Sequence, residues 1–150
     1  MPASSSSVNP PNPVLQLRLV VEVSNLDEAE AFYRDALGLE NEAAIDGPDG
    51  ARVVILQAGR ATLELVNTAQ RRMIDALEVG RDVAPRIRVA FEVDDVHAAT
   101  AAAVAADARL VAAPVETPWR SLNARLDAPG DLHVTVFEEL DRPRGSDGEP

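Results

Sequence analysis

The chain has 150 residues and a formal net charge of −11, and 46% of its residues are hydrophobic, which is typical of one soluble globular domain. The strong negative charge makes nucleic acids and anionic membrane surfaces poor partners. Cysteine and lysine are both absent, which excludes disulfides, thiol nucleophiles, cysteine-based metal sites and Schiff-base chemistry.

The two ends of the chain have the composition of disordered tails. Residues 1–13 are rich in serine and proline and lack the basic and apolar regions of a secretory signal. Residues 141–150 combine turn formers with charges and offer no large apolar side chain as an anchor. No apolar run approaches the roughly 20 residues of a membrane span. We therefore predict one folded domain over residues 14–140, in a cytoplasmic protein without a membrane segment.

The folded part begins with a strand that is repeated once. Leu15–Val23 and Arg86–Val93 both alternate apolar and polar residues with the period of a β-strand, and they align when Arg18 is placed on Arg88. In each strand the apolar residues form one face, which we expect to pack against helices, and the arginine lies on the other, mixed face. The apolar face of the first strand consists of Leu17, Leu19, Val21 and Val23.

A helix pattern follows each of these strands. Asn25 precedes a helix predicted over residues 26–39, which opens with acidic residues and ends at Gly38. Asp94 and Asp95 precede an alanine-rich helix predicted over residues 96–110.

Three shorter strands follow each helix, so that each half has the element order βαβββ. They are predicted at Asn41–Ile45, Arg52–Leu56, Thr62–Val66, Leu110–Ala113, Leu122–Leu126 and Leu132–Phe137. The first module covers residues 14–70 and the second covers 86–140. The linker at 71–85 begins with a short helix predicted from Arg71 to Gly80.

Several stretches of this tandem arrangement resemble one known family. The stretches VEVSNLDEAEAFYRDALGL, ATLELVN, VAFEVDDV, TPWRS and LDAPGDLHVTVFEE are similar to those of the vicinal-oxygen-chelate superfamily, which includes glyoxalase I, bleomycin-resistance proteins and extradiol dioxygenases. The resemblance implies an α+β fold in which tandem βαβββ modules form a curved mixed sheet around a cleft, with helices on the outer face. It also implies a homodimer, and in the bleomycin-resistance branch the clefts lie between subunits.

The resemblance further implies four metal ligands, one from the first and one from the last strand of each module. The matching positions are Arg18, Glu64, Arg88 and Thr135, and only Glu64 is a typical ligand. A guanidinium has no acceptor and stays charged, and one carboxylate does not hold a divalent ion against two nearby positive charges. We therefore predict no metal and no other cofactor.

Two arrangements of these residues remain open. If the four positions converge, Arg18, Glu64 and Arg88 form a charged triad, in which Glu64 either bridges the two guanidiniums or leaves them facing an anionic or carbonyl-rich ligand. A metal site shifted along the strands, built from Glu64, Glu22, Glu92 and His133, is the alternative to a metal-free cleft. Without a metal, Glu22 and Glu92 form a solvated rim or an ion pair.

Alternation along the last strands adds further candidates for the cleft. The predicted ligand-binding residues are Arg18, Arg88, Glu64, Thr135, Trp119, Asn123, Arg125 and Phe137. Apolar walls are expected from Val53, Ile55, Thr62 and Val66, next to Phe137. The predicted catalytic residues are Glu64 as a base and His133 as a proton carrier, since histidine titrates near neutral pH.

Three functions are compatible with these residues. The first is a metal-free protein that binds, sequesters or recognises a small organic molecule. The second is a metal-dependent or metal-free lyase, isomerase or dioxygenase of the same superfamily. The third is a ligand-free pseudo-enzyme. We predict the first, with a small organic ligand and a second copy of the chain as partners.

Overall fold

The computed structural model describes residues 13–141. Their strands are β1 (Gln16–Glu22), β2 (Asn41–Asp46), β3 (Arg52–Ala58), β4 (Ala61–Val66), β5 (Ile87–Glu92), β6 (Arg109–Glu116), β7 (Ser121–Ala128) and β8 (Leu132–Glu139). Their helices are α1 (Leu26–Ala31, continued by a π-helical turn at Phe32–Ala36), α2 (Thr68–Glu78) and α3 (Val96–Ala105), with a short 3-10 turn at Pro48–Gly50. The predicted tails lie, apart from Pro13 and Asp141, outside the described residues.

The strands form one mixed sheet with the order β2-β3-β4-β1-β5-β8-β7-β6. Within each module the first and last strands are parallel neighbours, β1 with β4 and β5 with β8. The two modules join edge to edge, because β1 and β5 pair antiparallel with Val20 opposite Arg88. The predicted α+β fold with two βαβββ modules is therefore confirmed.

The predicted caps form, while two helices are shorter than predicted. The side chains of Asn25 and Asp95 accept hydrogen bonds from the third residue beyond them, as helix N-caps do. The helix predicted over 96–110 ends at Ala105, because Asp107 takes a left-handed conformation (φ 80°) and the chain enters β6. The helix predicted over 26–39 loses its α-helical geometry at Phe32.

Helices α1 and α3 cover the convex face of the sheet and bury most of the core. Under α1, Leu26 packs with Leu56 and Leu65. Under α3, Val96 packs with a larger cluster from β7 and β8. No helix of the described residues is long and apolar enough to cross a membrane.

A stripe of apolar side chains runs between α1 and α3 along the centre of the convex face. We call this the convex stripe; it consists of Leu15, Leu17, Leu19, Ile87, Val89 and Phe91. The register pairs Leu17 with Phe91 and Leu19 with Val89, so these residues share one face. The sequence predicted that Leu17 and Leu19 pack against a helix. Instead they are 39% and 36% exposed, because the two helices pack over the outer strands.

Helix α2 lies on the opposite, concave face, which the sequence did not predict. It begins at Thr68, three residues before the helix predicted from Arg71, because the Asn67 side chain caps it by accepting from the backbone N–H of Gln70 at 2.9 Å. It contacts β3 and β4 of the first module and β6 and β7 of the second. The module helices α1 and α3 lie on the outer face as expected, whereas no face was predicted for the linker helix α2.

Candidate functional site

The concave face encloses a cleft of about 330 Å³ that is lined by both modules and by α2. Side chains of β1, β3, β4, β5, β7 and β8 line the cleft from the sheet, and side chains of β2 and α2 complete its lining. Its apolar surface includes Val20, Ile55, Ile74, Ala90 and Phe137. Arginine and glutamate side chains from the central strands provide the charges, so the cleft combines an apolar wall with a few charged groups, as ligand sites do.

The guanidinium of Arg18 is neutralised inside this cleft. It lies 3.7 Å from the carboxylate of Glu64 and 3.8 Å from that of Glu42. Its Cζ atom is also 5.3 Å from the ring centroid of Phe137, a cation–π distance. Two carboxylates and an aromatic face therefore hold this charge within the protein.

The guanidinium of Arg88 has a different environment. Its Nη1 atom donates a hydrogen bond of 2.6 Å to the Thr135 hydroxyl, and the residue is only 8% exposed. Burial lowers its pKa, and the positive charge of Arg125 lowers it further. The side chain still carries its charge at neutral pH, since arginine loses its proton only at extreme pH. Glu64 thus forms an ion pair with Arg18 and, among residues 13–141, none with Arg88. Of the two arrangements that the sequence left open, the bridged triad is therefore not the one formed.

The residues at the four predicted ligand positions do not fit a divalent metal ion. Arg18 and Arg88 contribute two positive charges, the Thr135 hydroxyl accepts from Arg88, and the Glu64 carboxylate is paired with Arg18. Cations prefer carboxylate, imidazole or thiolate ligands and are repelled by guanidinium groups. The donor set at these positions therefore gives no metal chemistry.

The shifted metal site is not assembled either. Glu22 accepts a hydrogen bond of 2.8 Å from Arg71, and so forms an ion pair with α2 at the rim of the cleft. His133 lies against Asp127 instead of near Glu64. In the part of the chain that the structure describes, no three His, Asp or Glu side chains are grouped so that they could hold a metal ion.

Arg125, predicted to bind ligand, is buried beneath α2 and does not line the cleft. Its Nε atom donates to Glu78 at 2.8 Å and its Nη1 atom donates to Asp75 at 2.9 Å. All three side chains are at most 1% exposed. Asp75 also accepts from the backbone N–H groups of Val83 and Ala84, which fixes the linker after α2. This ion cluster joins α2 to β7.

His133, predicted to carry protons, belongs to the same buried network. Its Nε2 atom lies 3.1 Å from Nη1 of Arg125, which can only donate, so Nε2 accepts and the hydrogen is on Nδ1. That hydrogen is donated to Asp127 at 3.1 Å. Burial lowers the pKa of His133, and the charge of Arg125 also lowers it, against the opposing effect of Asp127. The imidazole is therefore neutral and does not line the cleft.

The network makes the stability of the fold pH-dependent. Because the folded pKa of His133 is below its unfolded value, the unfolded chain binds the extra proton, and stability falls as the pH is lowered. We expect His133→Gln to remove a slope of at most about 1.4 kcal/mol per pH unit, which develops as the pH falls below about 6.5, the pKa of histidine in the unfolded chain. Urea denaturation at several pH values measures it, with the exposed His97→Gln as the control. An equal slope in His133→Gln would contradict the assigned protonation state.

The other predicted binding residues do line the cleft. Trp119 lies at its mouth and is 46% exposed, and Phe137 is part of the apolar wall. Asn123 also reaches it, but its amide already donates to Glu78 at 2.7 Å and accepts from Ser121. Among the expected apolar walls, Val53 and Ile55 line the cavity, whereas Thr62 and Val66 are buried beneath its surface.

Two groups of lining residues were missed by the sequence analysis. Gln70, Ile74 and Glu78 project from α2 at intervals of four residues, which is one face of a helix. The interval of four residues could have identified these side chains as one helix face, but it does not show that this face is directed to the cleft. Glu42 and Ala43 come from β2, the edge strand, whose alternation is broken by a register shift between Asn41 and Ala43.

Comparisons with known proteins agree with this geometry. A family model described as "Glyoxalase/Bleomycin resistance protein/Dioxygenase superfamily" matches residues 16–134. No curated protein sequence matches the chain. Among solved structures, a hypothetical protein from Bacillus halodurans superposes with a TM-score of 0.64 and 15% identity, over 89% of this chain and 99% of that one.

Two solved enzymes also have this fold. Methylmalonyl-CoA epimerase from Mycobacterium tuberculosis is 20% identical, with a TM-score of 0.59, over 87% of this chain and 88% of that one. A 4-hydroxymandelate synthase mutant from Streptomyces coelicolor is 25% identical with the same TM-score. The match covers 89% of this chain but only 40% of the synthase.

Proposed function

Because the chain belongs to the glyoxalase/bleomycin resistance protein/dioxygenase superfamily, we propose that it is a metal-free member that binds a small organic molecule in its cleft. The observation that carries the proposal is how the side chains at the four metal-ligand positions interact. Arg18 and Glu64 pair with each other, and Arg88 is fixed by Thr135, while an open cavity remains between them and α2. Open space beside fixed charged groups is what a binding site requires.

A fragment screen in the presence of EDTA tests this proposal. We expect fragments to shift the backbone amide NMR signals of β1, β5, β8 and α2. The variant Ala43→Trp fills the cleft from β2 and is expected to abolish these shifts. Ala44→Trp is the matched control, because Ala44 lies on the other face of the same strand and is exposed. Shifts that survive in Ala43→Trp would contradict binding in the cleft. Shifts that appear only when a metal salt replaces the EDTA would contradict a metal-free site.

A metal-free enzyme is the second candidate. The observation that favours it is the carboxylate of Glu64, which lines the cleft and is partly accessible. Such a carboxylate can accept a proton from a bound molecule. Turnover that is insensitive to EDTA and is lost in Glu64→Gln would support this function. Ligand binding without turnover would exclude the metal-free enzyme and support the binding function.

A second copy of the chain is the proposed macromolecular partner, and the convex stripe is the proposed contact. Four of its apolar side chains are between 36% and 45% exposed (Leu15, Leu17, Leu19 and Ile87), and exposed apolar patches mark interaction sites. The convex stripe lies on β1 and β5, which are equivalent strands of the two modules and pair antiparallel. Its two halves are therefore related by an approximate two-fold axis, which suits contact with a second copy of the same surface.

Analytical ultracentrifugation tests this contact. We expect the measured molar mass to be twice the 16.0 kDa of the single chain. Leu17→Glu places charge in the convex stripe and is expected to give a monomer. Leu37→Glu is the control, because Leu37 is also exposed but lies at the end of the π-helical turn, away from the convex stripe. A monomeric wild type, or a dimer that Leu17→Glu leaves intact, would refute the proposed contact.

A further inference from the structure

Among residues 13–141, the guanidinium of Arg88 has no counter-ion within 4 Å. It is buried to more than nine-tenths, and the hydrogen bond it donates within this range goes to a neutral group, the Thr135 hydroxyl. A guanidinium has five N–H groups, so most of its donor capacity remains for a molecule in the cleft.

The carboxylates that line the cleft are already engaged. Glu42 and Glu64 pair with Arg18. Glu78 accepts from Arg125 and Asn123, and Glu139 also has an interaction of its own. Arg18 is shared by two carboxylates, so the lining as a whole is negative, and the positive charge that the cleft presents is local to Arg88.

The surroundings of Arg88 favour a single negative charge beside it. Burial and the charge of Arg125 both disfavour its charged form, while Glu64, Glu78 and Asp75 favour it from beyond ion-pair distance. A bound monoanion would compensate the buried guanidinium for its lost hydration, because it forms charge-assisted hydrogen bonds with it. A dianion would in addition face Glu64, whose charge repels it.

The groups around Arg88 define the rest of the ligand. Ala90, Val20 and Ile55 form an apolar surface next to it, and the cavity of about 330 Å³ is at the small end of the range for ligand sites. The Thr135 hydroxyl accepts from Arg88 and keeps its own hydrogen for donation. The planar fork of a guanidinium matches the two oxygens of a carboxylate.

From this arrangement we infer that the cleft takes a small organic monocarboxylate. Its carboxylate binds to Arg88 and to the hydroxyl of Thr135, and its aliphatic or aromatic body packs on the apolar surface of β1, β3 and β5. The inference rests on the proposed binding function of the cleft and names the chemical class of its ligand. An organic amine is disfavoured beside Arg88, because the two positive charges repel each other.

Three probes of equal shape and different charge test the inference on the wild-type protein. Phenylacetate, phenylacetamide and phenethylamine are titrated in EDTA at low salt, with the amide NMR signals of β1, β5 and β8 as the readout. We expect phenylacetate to bind at least tenfold more tightly than phenylacetamide, and phenethylamine to shift no cleft signal. If the three probes bind equally in the cleft, the carboxylate inference fails while the binding function stands. If none shifts a cleft signal at millimolar concentration, both fail.

Variants of Arg88 test the anchor itself. We expect Arg88→Gln to weaken phenylacetate binding at least tenfold and to weaken phenylacetamide binding much less, because the amide carries no charge. Arg60→Gln is the control, since Arg60 is an exposed arginine in the turn between β3 and β4. Arg88→Lys keeps the charge without the fork, so we expect intermediate affinity. Equal phenylacetate affinity in Arg88→Gln and wild type would overturn the assignment. If Arg88→Gln does not fold, Arg88→Lys and the probes on wild type decide.

Discussion

Arg125→Leu is expected to lower the free energy of unfolding by about 3–5 kcal/mol, because removal of one partner leaves buried charges uncompensated. Arg125 is fully buried and pairs with both Asp75 and Glu78. Asp75 keeps a second, longer ion pair with Arg71 at 3.5 Å, whereas the structure describes no other ion pair for Glu78 within residues 13–141. Loss of Arg125 also removes the donor to His133. Urea denaturation followed by circular dichroism measures the change.

A control and a compensating variant separate this effect from the general loss of an arginine. Arg109→Leu removes an ion pair to Asp127 in which Arg109 is 71% exposed, and we expect a change of at most about 1 kcal/mol. The triple variant Arg125→Leu, Asp75→Asn and Glu78→Gln also removes the two buried carboxylate charges. We expect it to be more stable than Arg125→Leu alone. A destabilisation by Arg125→Leu as small as that of Arg109→Leu would show that the cluster is not buried as described.

Asn67→Ala is expected to destabilise the protein by about 2–3 kcal/mol, the second largest effect, because one amide serves three backbone groups. Its oxygen accepts from the N–H groups of Gln70 and Arg52, and its nitrogen donates to the carbonyl of Gly50 at 2.8 Å. It thereby joins the start of α2 to β3 and to the turn before it.

Asn25→Ala is the matched control for this prediction. Asn25 also caps a helix, but within residues 13–141 its side chain accepts from one backbone N–H, that of Glu28, at an exposed position. We expect its loss to cost about 1 kcal/mol. Equal effects of the two substitutions, measured in urea, would mean that the contacts of Asn67 with Arg52 and Gly50 contribute nothing.

The fold was predictable because its signals are local and occur twice. The alternation around Arg18 and Arg88, and the caps at Asn25 and Asp95, specify the two modules without any long-range information. The pairing of a duplicated module then follows from the family resemblance. The end of α3 was not predictable from helix propensity, because the left-handed residue Asp107 ends a segment that is otherwise rich in alanine.

The candidate site was predictable only in part. Arg18, Glu64, Arg88 and Thr135 line the cleft, since strand alternation directs them there. Alternation does not show which concave residues another element covers. Arg125 has the same orientation on its strand as the lining residues, but α2 buries it and supplies its two carboxylates. Contacts between a linker helix and a distant strand depend on tertiary packing, which the sequence pattern does not specify.

The ion pairing was also beyond the sequence. The central register places Val20 opposite both Glu64 and Arg88, so one strand separates that carboxylate from that guanidinium. Glu42, which completes the partners of Arg18, lies on β2 beyond a register shift. Within the described part of the chain, Arg18 is paired with carboxylates whereas the buried Arg88 is not, and this difference depends on where the tertiary structure places the side chains.

The metal content of the purified, tag-free protein tests the central claim, a metal-free cleft, most directly. The protein is incubated with zinc, iron, manganese, nickel and magnesium salts, desalted, and analysed by mass spectrometry. We expect less than about 0.1 equivalent of every metal, because two guanidiniums and a paired carboxylate do not hold a divalent ion. One equivalent of a metal that is lost in Glu64→Gln would contradict the account and make a metal-dependent enzyme the leading function.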